Sequence, residues 1–217
     1  MLADLQRMLA GIYGIDLDAD VRDYLVTDPG LIDDWECGQG RPTEEKLLVR
    51  QSQDVLNLAL YLSADLLARL ERSDPLASLQ DSNLGDFCLA LEGVSHFNYM
   101  VWNASADRCV TLLELEMQAE IDKYVAARIL MARQRRQAGL HRLLEKFLAE
   151  PRFLPQLDAD EQQRYRHAAR YAGYYCRSLA TRYQRAHPDR EMTRELRHFY
   201  RLPQPAKLSH IHSAAFA

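Results

Sequence analysis

The chain has 217 residues, of which 47% are hydrophobic and 27% are charged, and its formal net charge is −4 at pH 7. A chain of this length and composition buries a full core by itself, which excludes intrinsic disorder, a collagen repeat and a small disulfide scaffold. No apolar run approaches the roughly 18 residues of a transmembrane helix. The first residues, Met1 to Arg7, include an acid and no uninterrupted apolar core, so we expect neither a membrane span nor a signal peptide.

The cysteines stand far apart in the sequence, at Cys37, Cys88, Cys109 and Cys176. None of them forms a C-x-x-C pair, which argues against a zinc ribbon, a thioredoxin-like motif and a secreted disulfide framework. Reduced thiols are typical of the cytoplasm, and the sequence therefore predicts a cytoplasmic protein.

Charge is distributed unevenly along the chain. Residues 1–70 carry a net charge of −7, residues 71–130 carry −6, and residues 131–217 carry +9. A basic C-terminal third suits a polyanion such as nucleic acid or an acidic protein. The bases are interleaved with acids and do not form one run, which favours ion pairing of basic with acidic helices inside one fold.

The N-terminal region predicts short elements separated by turns. Apolar residues recur at helical spacing over 2–12 and predict an amphipathic helix. A second short helix is expected around 21–25, after a capping aspartate. Asp28-Pro29-Gly30 is a turn signal, and we expect a loop over 30–42.

Over about 46–62 the spacing of the hydrophobic residues changes from that of a helix to that of a strand. Leucines alternate with other residues at positions 56, 58, 60 and 62, which is the period of a strand. We predict a β-hairpin with strands at 46–51 and 55–62, and one continuous helix is the alternative. Because a lone hairpin is marginally stable in water, it should lie on helices or pair with a second subunit.

Helical periodicity returns after Ser63. The predicted helices are 63–74, 84–103, 111–136, 140–149, 160–185 and a short one near Thr193. Prolines and small residues predict a mobile tail over 203–217. The predicted fold is mainly α, a compact helical bundle with one small β-hairpin, forming a single domain over 1–202.

The predicted helix 84–103 carries a narrow stripe of reactive groups. Its members are Cys88, Glu92, His96, Tyr99 and Asn103. Glu92 and His96, four residues apart, can reach one metal or hydrogen-bond each other. Gly93 beside them is costly in a helix interior, which indicates close approach of another backbone. The alternative is a solvent-facing stripe with one side-chain pair.

The predicted helix 111–136 is apolar on two sides and therefore largely buried, yet it carries Glu116 and Glu120. If these face Glu92 and His96, three carboxylates and an imidazole form a candidate di-metal site in a bundle. Di-metal bundles use Glu-x-x-His with a spacing of three, whereas the spacing here is four. The alternative is ion pairing of the two glutamates with Lys123 or with C-terminal arginines.

Two further patterns lie in the basic third. Arginines alternate with tyrosines over 160–185, and Arg166, Arg170 and Arg177 are the candidate nucleic-acid contacts. Glu195 and His198 do have the three-residue spacing, and His210-Ile211-His212 is a weak chelating pattern. The sequence does not identify fellow ligands for Glu195 and His198, and in a tail predicted to be mobile we expect the pattern at 210–212 to be incidental.

No catalytic motif passes a test of specificity. The leading hypothesis is therefore a non-enzymatic protein that binds another protein or associates with itself, without a cofactor and without a membrane. The second hypothesis is a helical metalloprotein or metalloenzyme that holds a divalent metal through Glu92, His96, Glu116 and Glu120, with Tyr99 in the same polar cluster. Nucleic-acid binding through the C-terminal third is the third and least favoured hypothesis.

Overall fold

The computed structural model describes residues 1–35, 42–52, 55–135, 158–184 and 188–215. Contacts between residues divide the chain into two compact units. The first unit holds residues 1–10 and 15–109, and the second holds residues 11–14 and 110–217. A division by contacts does not decide whether the units unfold separately or as one cooperative domain. The single domain predicted over 1–202 therefore stays a prediction. The predicted helix 140–149 lies outside the described residues.

The first unit combines helices with a small sheet. Its elements are α1 (Leu2–Tyr13, whose last turn belongs to the second unit), a 3₁₀ turn (Val21–Tyr24), β1 (Leu25–Val26), α2 (Gly30–Trp35), β2 (Glu45–Ser52), β3 (Val55–Leu62), α3 (Ala64–Arg72) and α4 (Leu84–Ala104).

The β-hairpin is confirmed, and a third strand extends it. β2 and β3 pair antiparallel, with Glu45 opposite Leu62 at the base. β1 pairs parallel with β3, placing Leu25 opposite Leu60, so β3 is the central strand. The helix predicted around 21–25 is only a 3₁₀ turn that continues into β1. Its two strand residues are too few to show a period in the sequence.

The loop predicted over 30–42 is wrong in its first part, where α2 forms over Gly30–Trp35. The Asp28 carboxylate accepts a hydrogen bond of 2.9 Å from the Gly30 amide, and Pro29 suits the start of a helix. Ile32 then packs into a cluster with Leu48 and with two residues of β3. Tertiary burial therefore stabilises a helix too short to be seen as periodic.

α4 contacts both long strands and holds the apolar centre of the first unit. Phe87, Leu91, Val94 and Phe97 of this helix have no exposed surface. Asn98 lies among them, and its Nδ2 donates a hydrogen bond of 3.5 Å to the Gln6 carbonyl of α1.

Every regular element that the structure describes in residues 110–215 is a helix. The helices of this second unit are α5 (Leu112–Arg133), α6 (Ala159–Arg182), α7 (Arg190–Arg201) and α8 (Gln204–Ala215). Thr111 and Asp158 each form a capping box with a glutamate three residues on, which fixes the starts of α5 and α6 where the sequence predicted them. α5 packs along α6, and α6 also contacts α8.

The C-terminal segment differs from the mobile tail that the sequence predicted. Residues Gln204–Ala215 form α8, in which Lys207 and Ile211 are buried. Pro205 stands in the first turn of α8, where a missing amide proton costs no hydrogen bond. The fold class predicted from the sequence, mainly α with a small β-hairpin, is confirmed. None of the described helices is long and apolar enough to cross a membrane.

Candidate metal centre

Three metal-ligating side chains meet in the first unit, at Glu45, Glu92 and His96. Each offers one ligand atom, and these atoms all lie within 4.8 Å of one another. Among the residues that the structure describes, no other set of three histidine, cysteine or acidic side chains meets this condition. Glu92 and His96, which the sequence placed at one candidate site, therefore lie together with a third potential ligand. This third residue, Glu45, was not predicted from the sequence.

Two elements bring the three ligands together. Glu92 and His96 are one helical turn apart on α4, so both side chains project from the same side of the helix. Glu45 is the first residue of β2, at the base of the hairpin that α4 contacts. The His96 Nδ1 lies 3.5 Å from the Glu45 Oε1.

Gly93 makes this approach possible. A Cβ at this position would lie 2.7 Å from the Leu60 Cδ1 and 3.1 Å from the Glu45 Oε1, both shorter than ordinary van der Waals contacts. An alanine here would require the Leu60 and Glu45 side chains to shift, so glycine lets them approach α4 between its two ligands. The sequence indicated close approach of another backbone at Gly93, whereas the atoms that come close belong to side chains of β2 and β3.

The electrostatics of the group favour a cation. The side chains of His96 and Glu45 are only 9% and 10% exposed. Two carboxylates placed together with little water repel each other, and burial raises the free energy of each charged form. A divalent cation among the three ligands would offset both negative charges.

The stripe predicted on α4 does not face solvent, so its solvent-facing alternative is wrong. His96, Tyr99 and Asn103 each expose less than a tenth of their surface, and Cys88 and Glu92 are partly buried. The Tyr99 backbone carbonyl accepts a hydrogen bond of 2.8 Å from the Asn103 Nδ2.

Glu116 and Glu120, the other two ligands predicted from sequence, belong to α5 in the second unit. Glu120 accepts a hydrogen bond of 2.8 Å from the Lys123 Nζ, the ion pair that the alternative interpretation expected. The site of four ligands stays a prediction.

A cavity of about 490 Å³ in the first unit is lined by other residues, among them the acids Asp16, Asp18 and Asp23. Tyr24 also lines this cavity and lies against the Phe97 ring, with a centroid separation of 4.9 Å. The three candidate ligands are not among its lining residues.

A second buried polar cluster lies in the second unit. The Lys207 Nζ donates to the Gln118 Oε1 at 2.9 Å, and the Gln118 Nε2 donates to the Asp122 carboxylate at 2.8 Å. The Tyr13 hydroxyl also donates to Asp122. Burial lowers the pKa of Lys207 to about 7, although the nearby Glu114 and Asp122 carboxylates oppose this shift. Burial and the Asp122 charge raise the pKa of Tyr13 well above 10.0.

The candidate nucleic-acid residues all lie exposed on α6. The Arg170 guanidinium stands 5.3 Å from the Tyr171 ring centroid, and that of Arg177 stands 5.1 Å from the Tyr174 ring. Ion pairs of Arg170 and Arg177 with the acids of α5, which the sequence led us to expect, are absent from the described part of the chain. Arg166 is exposed on the same helix.

Comparisons with known proteins give no relative from which a function could be inferred. No family model, no curated protein and no solved structure matches the chain.

Proposed function

We propose that the protein binds one divalent transition metal through Glu45, Glu92 and His96. The observation that carries the proposal is the convergence of two carboxylates and an imidazole within 4.8 Å in a mostly buried place. The sequence predicts two of these three ligands, Glu92 and His96. This metal centre deepens the metalloprotein hypothesis and replaces Glu116 and Glu120 with Glu45 in its ligand set.

The donor atoms fit a metal of intermediate hardness. Carboxylates suit Mn²⁺, and imidazole suits Fe²⁺ and Zn²⁺, so a mixed set favours Mn²⁺ or Fe²⁺ over softer ions. Donors that share one ion at about 2.1 Å lie about 3 to 4 Å from one another. The ligand atoms are within 4.8 Å before any ion is present, and small rotations of the two glutamates would close the site.

Three protein ligands leave coordination positions for water. This is the arrangement of catalytic metal sites, whereas structural sites are closed by four protein ligands. A water bound there would lose a proton more readily than bulk water, which would make it a stronger nucleophile.

Metal titration of the purified protein tests the proposal. We expect one equivalent of Mn²⁺ or Fe²⁺ by calorimetry and elemental analysis, lost in Glu45→Gln and in His96→Gln. Glu44→Gln is the matched control, because Glu44 is the neighbouring residue but accepts a hydrogen bond of 2.7 Å from Arg69. Glu120→Gln separates this site from the four-ligand alternative. Unchanged metal binding in Glu45→Gln, or no binding in the wild type, would refute the proposal.

Nucleic-acid binding is a second candidate function, favoured by the arrangement on α6. Arg166, Arg170 and Arg177 recur at spacings of four and seven and so fall on one side of the helix, and all three are exposed. Tyr174, which is 37% exposed, lies close to the same side. Arginine and tyrosine together bind single strands through phosphate contacts and base stacking.

A gel shift with single-stranded RNA and DNA at low salt tests this candidate. We expect binding that weakens with salt and is lost in the double variant Arg170→Ala and Arg177→Ala. The control is the double variant Arg133→Ala and Arg194→Ala, which removes two exposed arginines of the same unit. Equal loss in both pairs, or no shift at all, would refute it. The protein-binding or self-associating role stays a prediction, to be tested by light scattering across protein concentration.

A further inference from the structure

Two histidines of the second unit face each other across α7 and α8. The ring centroids of His198 and His210 are 5.5 Å apart, with the ring planes at 59°. His198 is exposed and His210 is partly buried. The structure thus joins two sequence patterns that appeared separate, the Glu-x-x-His spacing of α7 and the His-x-His pattern of α8.

The separation of the two rings fits one shared metal ion. A zinc–nitrogen bond is about 2.1 Å, and the ring centroid lies about 1.1 Å beyond the nitrogen, so each centroid sits about 3.2 Å from the ion. Two imidazoles on a tetrahedral ion therefore have centroids about 5.2 Å apart. The observed 5.5 Å differs from this by a few tenths of an ångström.

Glu195 holds His210 in the orientation that a metal ligand needs. The His210 Nε2 lies 2.6 Å from the Glu195 Oε1, which leaves the Nδ1 as the nitrogen for a metal. Metal-binding histidines usually donate their other ring N–H to a carboxylate, which fixes the tautomer and the ring. Glu195 stands three residues before His198 and so reaches the same place from the same helix.

The carboxylate itself is held from two other sides. The Tyr175 hydroxyl donates to the Glu195 Oε1 at 3.2 Å, and an Arg182 nitrogen lies 3.4 Å from the same oxygen. These two contacts and the one with His210 fix the position of the Glu195 carboxylate. A carboxylate that is fixed in this way is a strong acceptor for the His210 N–H, which raises the basicity of the opposite ring nitrogen.

We infer that His198 and His210 form a zinc-binding site in the second unit, with Glu195 as the positioning residue behind His210. Imidazole nitrogen is a preferred ligand of Zn²⁺, and two protein ligands leave the remaining tetrahedral positions to water. This site is independent of the metal centre proposed in the first unit and differs from it in ligand chemistry.

Calorimetry with Zn²⁺ on the full chain tests the inference. We expect His198→Ala to remove one equivalent of bound Zn²⁺, and Glu195→Gln to weaken that equivalent by about 10-fold to 100-fold. His212→Ala is the matched control, because His212 lies on α8 but its ring meets the Tyr171 ring edge-on at 6.0 Å. It should leave the zinc stoichiometry and affinity unchanged.

A crossed design separates the two metal sites. Glu45→Gln should leave the equivalent that depends on His198 in place, and His198→Ala should leave the Mn²⁺ or Fe²⁺ equivalent in place. The visible absorption of bound Co²⁺ supplies a second readout, and His198→Ala should remove the part of it that persists in Glu45→Gln. Because His198 is exposed, its alanine variant should fold normally, as circular dichroism will verify. Wild-type zinc binding in His198→Ala, or an equal loss in His212→Ala, would overturn the inference.

Discussion

Lys207 should give the protein an unusual dependence of stability on pH. Its side chain is fully buried, its Nζ donates to the Gln118 Oε1, and its ammonium lies 5.0 Å from the Phe199 ring centroid. Burial lowers its pKa from 10.5 to about 7. The folded protein therefore holds this amine neutral over a pH range in which the unfolded chain protonates it.

The sign and size of the effect follow from proton linkage. Between pH 7 and 10.5 the unfolded state binds the additional proton, so the free energy of unfolding rises with pH. For pKa values of about 7 and 10.5, the rise between about pH 7 and about pH 9.5 is about 3 kcal/mol. This rise is the contribution of Lys207 alone. Burial also raises the pKa of Cys176 above its ordinary 9.0 and that of Tyr13 well above 10.0, so the unfolded chain ionises these groups first and their contribution to stability falls as pH rises above about 9 and about 10.

Urea unfolding at several pH values measures this slope. Lys207→Met should flatten it, because methionine fills similar volume and carries no proton. Loss of the donor to Gln118 costs about 1–3 kcal/mol at every pH and so shifts the curve without changing its slope. Lys46→Met, which removes a half-buried lysine of β2, is the control and should keep the wild-type slope. An unchanged slope in Lys207→Met would refute the assignment.

Three further outcomes follow from single positions. Gly93→Ala should destabilise the protein by about 1–3 kcal/mol and weaken Mn²⁺ binding, whereas Gly85→Ala, with no atom within 4 Å of its added Cβ, should be neutral or stabilising. Both are measured by urea unfolding, and equal effects would contradict the packing described at Gly93. Thr111→Ala removes a capping box and should cost about 1 kcal/mol, read out as a lower Tm. Cys109 is exposed and should react with a thiol reagent in the native state, whereas Cys176, whose pKa burial raises, should react only after unfolding.

Helix starts were predictable because capping is local chemistry. Thr111 and Asp158 each exchange hydrogen bonds with a glutamate three residues later, and Ser63 accepts one from the Leu66 amide. All the atoms involved lie within four residues, so the sequence pattern contains the whole interaction. The hairpin was predictable for a similar reason, since alternation is a property of adjacent residues.

Very short elements, and contacts that depend on tertiary packing, were not predictable from local sequence patterns. β1 and α2 hold too few residues to show a period, and they form because β3 and the cluster around Ile32 bury them. The burial of Lys207 was not predictable either, because a lysine in a C-terminal segment is normally expected to be exposed to solvent. Its burial depends on Gln118, a residue of α5 that is remote in sequence. Glu114, Gln118 and Asp122 do recur every fourth residue of that doubly apolar helix, which is the signal that could have revealed the cluster.

The candidate metal centre combines both kinds of feature. Glu92 and His96 are four residues apart on one helix, so their proximity is contained in the sequence. Glu45 comes from the base of a hairpin, and its distance from α4 depends on how the sheet packs on the helix. Gly93 links the local and the tertiary feature. A glycine in a helix interior, here between Glu92 and His96, costs about 1 kcal/mol relative to alanine. That cost is offset here by the contact that it allows with Leu60 and Glu45. An interior helical glycine beside candidate ligands therefore indicates where a further ligand enters, even when the sequence does not show which residue it is.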